Sequence, residues 1–446
     1  MYEKGDFQGM KLNYRRTILI GLAFLSICAF WQFYDNEIPK ILKYSFGLGE
    51  TATGVIMALD NVLALFLLPL FGTISDLTDT KRGKRMPFIT VGTILSVFFF
   101  VILIAVARPS GNLIFFVVIL LLLLISMGIY RSPAVSLMPD LTPAPLRSQA
   151  NAVINLMGAL GGVFTLVMTM ALLKGADDPA KTNYIPLMLS VALVLIISIV
   201  ILNLTIKEKD IRKQIEAEGG LASYGEKYVK EVENTKNSRG AKLPPDVFKS
   251  LAFLLMSVAF WYMAYNAVTT AFTRYVGEVW GKTDGSYAGI LMVATVAAVL
   301  SYIPIGALSS RIGRKKVILA GVVMMSGVYL VASFLTSYTP LMNVFFAIIG
   351  IGWAAINVNS YPMVVEMSKS GDIGRYTGTY YTFSMAAQVF TPILSGFLLE
   401  HVSYRTLFPY AFVFSTLAFF TMLMVRHGDS RPEARKNILE NFDVDD

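Results

Sequence analysis

The 446-residue sequence contains a single cysteine, Cys28, and only two histidines, His401 and His427. One thiol excludes an intramolecular disulfide framework and any zinc site built on several cysteines. Two histidines, both at or beyond the ends of apolar runs, leave little for metal binding or acid–base catalysis. Charge is scarce as well, at 15% of residues against roughly 25% in a soluble domain. No P-loop, metal-ligand cluster or serine–histidine arrangement is present, so neither an enzyme nor a bound cofactor is expected. Apolar residues dominate instead, at 55%. That balance counts against disorder and against nucleic-acid binding. The net charge of +8, from 38 basic and 30 acidic residues, fits basic loops flanking membrane spans. The expected partner is the lipid bilayer, and the chain reads as an integral membrane protein.

A spanning helix needs about 20 mostly apolar residues. Twelve such windows recur, at about 17–38, 51–72, 86–107, 112–134, 149–173, 184–206, 248–275, 286–308, 315–336, 340–362, 374–399 and 404–425. The fold class expected is therefore all-α. Two groups of six spans, 1–206 and 247–446, flank a polar linker at 207–246 that reads as partly amphipathic helix. The first apolar run follows Arg15 and Arg16 but lacks a small-residue cleavage site and leads into further spans, so it reads as an uncleaved helix. Lys81, Arg82, Lys84 and Arg85 crowd the loop after the second span, and Arg311, Arg314, Lys315 and Lys316 that after the eighth. Loops on the opposite side carry at most about two basic residues each. By the positive-inside rule both termini and the linker are cytoplasmic, in a cell (inner) membrane.

The two groups repeat each other. Gly72 and Asp76 lead into a basic cluster around Gly83, as Gly306 and Ser310 lead into Arg311, Gly313 and Arg314. Pro133, Asp140 and Arg147 recur as Pro362, Glu366 and Arg375 at a similar offset. Such internal repeats mark many secondary transporters.

The glycine–acid–basic loops resemble the signature loops of the major facilitator superfamily. The longer form, Ser75, Asp76, Asp79, Lys81, Arg82, Gly83, Lys84, Arg85 and Pro87, resembles the glycoside–pentoside–hexuronide:cation symporter family. So does the run Pro133, Pro139, Asp140, Thr142, followed by Arg147, Ala150 and Asn151. Within that family the sequence is most similar to the sucrose transporter-like branch. The resemblance implies two six-helix bundles, alternating access, and uptake of a sugar coupled to a cation. It also implies a breakable cytoplasmic latch on Asp76, Arg85, Asp140, Arg147 and Arg314, with Asp140 pairing Arg147 across a tight turn. Ser310 departs from the pattern where an acid is usual. A second departure is larger: Ala64 and Leu68 stand where the melibiose permease branch carries two sodium-binding aspartates. Arg131 stands where that branch has a sugar-binding acid, and Asn155 near its sugar-binding arginine.

An ionisable side chain within the membrane needs a partner or a function. Asp60 lies midway along the second span, Asp35 near the expected outer end of the first, and Arg131 in the inner half of the fourth. A carboxylate in a partly dry cavity can take a proton on one side and release it on the other, so protons are the expected coupling ion. Asp60 is the leading carrier and Asp35 the second. The bland alternative pairs Asp60 with Arg131 as a fixed structural bridge. The second half offers amides and aromatics. Together the substrate candidates are Trp31, Gln32, Arg131, Asn155, Trp261, Tyr265, Asn266, Asn357 and Gln388. The expected activity is proton-coupled symport of a glycoside or small oligosaccharide by a monomer. An uncoupled facilitator and an exporter of amphipathic molecules are the alternatives.

Overall fold

The computed structural model describes residues 12–143, 146–173, 179–217, 244–282, 285–367 and 373–429. Most of the linker, the acidic tail and the side chains of Ser310 and Arg375 fall outside the described residues.

Twelve of its helices are long and apolar enough to cross a membrane. In hydrocarbon every backbone N–H and C=O must be paired within the chain, which is why these runs become continuous helices. The first half holds α1 (Tyr14–Lys40), α2 (Glu50–Leu77), α3 (Met86–Ile102), α4 (Leu113–Asp140), α5 (Arg147–Leu172) and α6 (Ile185–Thr205). A short polar helix, α7 (Glu208–Ala217), follows. The second half holds α8 (Pro245–Trp280), α9 (Tyr287–Ile312), α10 (Arg314–Ala332), α11 (Leu341–Met367), α12 (Ile373–His401) and α13 (Leu407–Met424). Both described ends of the chain, α7 and the basic loops lie at one face, the terminal face. The opposite face is called distal.

Each half has its own apolar core. Large apolar residues such as Phe66, Phe98, Ile114, Leu193, Phe334 and Phe420 remain exposed around the outside, as a lipid-facing surface requires. Prolines sit inside corresponding helices of the two halves: Pro69 in α2 and Pro304 in α9, Pro133 in α4 and Pro362 in α11.

One element is longer than the hydropathy pattern indicates. α1 runs through Pro39 and continues as a π-helical turn over Ile41–Ser45, giving a span of 32 residues. The polar run from Asp35 to Lys40 therefore lies inside the span. Small residues bring α1 and α5 together: a Cβ at Gly158 would meet Cys28 Sγ, and one at Gly161 the Leu25 carbonyl. This close crossing places the middle of α1 beside the middle of α5.

Candidate functional site

Between the halves lies a cavity of about 710 Å³. α1 contributes Trp31, Gln32 and Asp35; α4 contributes Arg131 and Pro139; α5 contributes Arg147, Asn151 and Asn155. The second half adds Thr295 and Tyr302 from α9 and Tyr381 from α12. Met138, Pro139 and Arg147 sit at the terminal-face ends of their helices, and no distal helix end lines the space. The cavity therefore runs from mid-span to the terminal face. Trp31 forms part of its wall, held edge-on by Phe30 at 5.3 Å and Tyr34 at 5.2 Å. The Arg131 guanidinium lies 5.7 Å from the centre of the Trp31 ring, a cation–π contact.

Asp35 is placed differently from the sequence expectation. It stands ten residues before the end of the first span, roughly 15 Å deep at the helical rise, and lines the cavity instead of meeting outer water. Asp60 is ten residues into α2 and does not line the main cavity. It lines a narrow cleft behind it, shared with Trp31, Arg131, Ala64 and Leu68. Asn61 Nδ2 donates to the Asp60 carboxylate at 2.7 Å. Arg131 borders both spaces and lies within electrostatic reach of both acids. No ion pair closer than 4 Å joins Asp60 to Arg131 among the described residues, so the fixed bridge is not formed.

The aromatic and amide candidates of the second half are not on the cavity wall. Trp261 is buried in the second core. Tyr265 stacks on Trp353 with centroids 3.8 Å apart and planes 3° from parallel. Asn357 is buried, while Asn266 and Gln388 are half-buried away from the cavity. Residue type grouped them as sugar-binding candidates, but the ring face of Tyr265 is taken up by Trp353 and Trp261 packs into the core. Tyr302 and Thr295 take their place, and nothing in their sequence surroundings marks them.

The distal face is sealed by charges that the sequence reading passed over. Glu50, at the first turn of α2, accepts from Arg274 Nε at 2.7 Å and lies 3.4 Å from Lys43 Nζ. Lys43 also pairs with Glu278 at 2.7 Å, and Tyr404 Oη joins both Glu50 and Lys43. Deeper in, Tyr287 of α9 donates to Glu37 of α1, which also pairs with Lys40 at 3.3 Å. Thr51 N–H donates to Glu400 at 2.7 Å. Most of these contacts cross between the halves. Backbones close in too: a Cβ at Gly54 would meet the Pro392 carbonyl, and one at Gly396 the Glu50 carbonyl.

Two pseudo-equivalent halves, a cavity between them and one closed end are the parts of an alternating-access carrier. The sequence profile of the Major Facilitator Superfamily matches residues 18–299 and 253–442. The chain belongs to that superfamily. An uncharacterised MFS-type transporter of Mycobacterium tuberculosis (strain CDC 1551 / Oshkosh) is 29% identical over 167 residues, which is 36% of this chain and 23% of that protein. The match thus spans about a quarter of the relative. Among solved structures, a mutant of the nucleoside transporter NupG has a TM-score of 0.67 at 16% identity, covering 93% of this chain and all of that one. The inward-open xylose transporter XylE from E. coli gives 0.68 at 13% identity, over 94% and 98%. These likenesses are of fold.

The charges expected to form a latch centre on Arg85. Its guanidinium binds Asp76, Ser75 Oγ, the Gly72 carbonyl at 3.3 Å and Asp140 at 2.8 Å. Asp140 thus pairs with Arg85 and not with Arg147, whose Nε donates to the Thr142 carbonyl at 3.3 Å. Arg147 lines the cavity, while Arg85 reaches Asp140 from the neighbouring loop. In the second half Arg314 pairs with Glu366 at 2.6 Å, so a carboxylate from α11 supplies the charge that Ser310 lacks. An unexpected member is Glu208 of α7. Its carboxylate accepts from the backbone N–H groups of Lys84, Arg85 and Met86 at 2.8, 3.0 and 3.1 Å. This caps the N-terminus of α3, where the helix dipole favours an anion.

Proposed function

We propose that the protein is a proton-coupled symporter of a sugar, a glycoside or small oligosaccharide, with the cavity as its substrate site. The observation that carries the reading is the composition of the cavity wall. An indole, amides and hydroxyls suit a sugar's apolar ring faces and its edge of hydroxyls, and a carboxylate stands among them. The resemblance of the first-half loops to the glycoside–pentoside–hexuronide:cation symporters supports it. With the terminal face cytoplasmic, as the basic loops favour, the conformation is inward-facing in a cell membrane.

Coupling rests on Asp60 and Asp35, which flank Arg131 from two helices. A proton entering from outside neutralises one carboxylate and weakens its attraction to Arg131. The guanidinium is then available to substrate, and release of both to the cytoplasm restores the starting charges. Asp60→Asn imitates the protonated form. In proteoliposomes it should retain sugar exchange while losing accumulation driven by an imposed pH gradient. Normal uphill accumulation by that variant would assign Asp60 a structural role, and no sugar uptake by the wild type would reject the sugar reading itself.

A further inference from the structure

One group of charges on the terminal face takes no part in the ion pairs described above. Lys81, Arg82 and Lys84 lie in the loop before α3, and Lys207, Arg212 and Lys213 lie on or beside α7. More than 120 residues separate the two segments, yet they are held as one surface. The Glu208 carboxylate fastens α7 to the backbone of Lys84, Arg85 and Met86. Lys209 of α7 pairs with Asp79 of the loop at 2.8 Å. Ile215 is buried and Ile211 packs on the first core, which leaves Lys213 and Gln214 exposed. The hydrogen bond and charge of Lys209, with the charges of Lys84 and Arg212 behind it, hold Asp79 below the ordinary carboxylate range. Three cations from two segments thus converge on one exposed acid. Among the described residues no carboxylate forms an ion pair with Lys81, Arg82, Lys84, Lys207 or Lys213. Asp210 and Glu216 offset part of this charge, and the surface stays positive.

We propose that this surface is a docking site for the headgroup of an anionic phospholipid in the leaflet at the terminal face. Lys and Arg clustered on an amphipathic helix just beyond a membrane span attract anionic headgroups, with a reach of about one Debye length. The position fits. Only Ile206 and Lys207 separate α6 from α7, so α7 stays at the membrane surface. Leu204, one residue before the end of α6, is 75% exposed, and Leu77, the last residue of α2, is 83% exposed. Each adjoins the cations in sequence, Leu204 before Lys207 and Leu77 before Lys81. Exposed hydrocarbon beside unpaired cations fits an amphiphile with an anionic head. A soluble phosphate would use the cations and leave the leucines in water. Basic loops orient any membrane chain, but orientation requires neither the joining of two distant segments nor the flanking leucines. The second half shows the contrast, because Arg314 there holds Glu366 at 2.6 Å and the Lys315 ammonium holds the Leu423 carbonyl at 3.0 Å. Since Glu208 also caps α3, a bound headgroup steadies the loop that carries Arg85. The site is separate from the cavity and independent of its substrate.

Gln214, exposed beside Lys213, takes the reporter. The full-length chain with Gln214→Cys and Cys28→Ser carries an environment-sensitive fluorophore on the new thiol. It is reconstituted into phosphatidylcholine vesicles containing rising fractions of phosphatidylglycerol, so that headgroup charge is the variable. The proposal expects a fluorescence change that saturates with phosphatidylglycerol and weakens in high salt. Adding Lys207→Gln with Lys213→Gln should raise the fraction needed about threefold. Adding Arg311→Gln with Lys316→Gln instead removes two exposed cations of the second half and should leave the response unchanged. Melting temperatures confirm that both double variants fold. Absence of a saturating response to phosphatidylglycerol overturns the proposal. So does an equal loss in the Arg311 and Lys316 variant, which would reduce the effect to overall surface charge. The same change produced by inorganic phosphate in pure phosphatidylcholine vesicles also overturns it and assigns the surface to a soluble anion.

Discussion

Glu50 is 3% exposed, and Arg274, its partner at 2.7 Å, is 5% exposed. The pair joins the two halves across 224 residues of chain, where desolvation makes each charge dependent on the other. Removing one partner of a buried pair costs about 3–5 kcal/mol, because the survivor stays buried without compensation. Glu50→Gln should therefore lower the melting temperature clearly, and Glu50→Gln with Arg274→Gln should recover much of the loss; thermal unfolding in detergent measures both. A second prediction at this scale concerns the coupling ion. Ala64 and Leu68 face the Asp60 cleft with hydrocarbon, and a hard cation such as sodium binds through several oxygen ligands. Uptake into proteoliposomes should be unchanged when potassium replaces sodium on both sides, and a strict sodium requirement would refute this. Of the candidate residues, those legible from sequence were the charged ones in apolar surroundings. Asp35 and Arg131 announced themselves by that contrast. Tyr302 and Thr295 did not, since a threonine in a membrane helix commonly bonds its own backbone, as Thr295 does to Leu291, and a tyrosine there is as commonly a packing residue.

Twelve spans were legible as elements because hydrocarbon imposes a length and a polarity on each, and neither depends on what the helix packs against. Where an element ends was harder to read. The first span reads as ending near residue 38, since Asp35, Asn36, Glu37, Pro39 and Lys40 look like an exit from the membrane. In the structure Glu37 and Lys40 are buried against each other and Tyr287, so the helix continues. Tertiary partners, invisible along the chain, decide the boundary. The same holds for α3, whose start depends on a carboxylate more than 120 residues away. Gly83 sits before it at φ +114°, and a Cβ there would run into Glu208. Glu208→Gln should weaken the cap by about 1–2 kcal/mol, as loss of charge-assisted bonds at a helix N-terminus does. Gly83→Ala should destabilise more, because strain at positive φ adds to the collision. Thermal melts of the two variants test that order. A neutral outcome for Glu208→Gln would mean that α7 merely rests on the loop.

At the scale of the whole molecule, the internal repeat and the basic loops made the two-bundle architecture legible before any coordinates. They did not make the conformation legible, since both states of such a carrier share one sequence and one set of helices. Conformation is decided by which cross-half contacts are formed. Here the distal set is complete: Glu50 with Arg274, Lys43 with Glu278, Glu37 with Tyr287. The terminal-face ion pairs, Arg85 with Asp76 and Asp140 and Arg314 with Glu366, close within each half and leave the cavity open between them. The cavity, lined in part by Cys28, should face the terminal side now and the distal side when the seal breaks. Cys28 tests it directly through labelling with a membrane-impermeant maleimide applied to either face of sealed, oriented vesicles. In the wild type, labelling should be fast from the terminal face and slow from the distal face. In Glu50→Gln with Arg274→Gln, distal labelling should rise severalfold while terminal labelling falls. Distal labelling as fast as terminal in the wild type, or unchanged in the double variant, would contradict the claim.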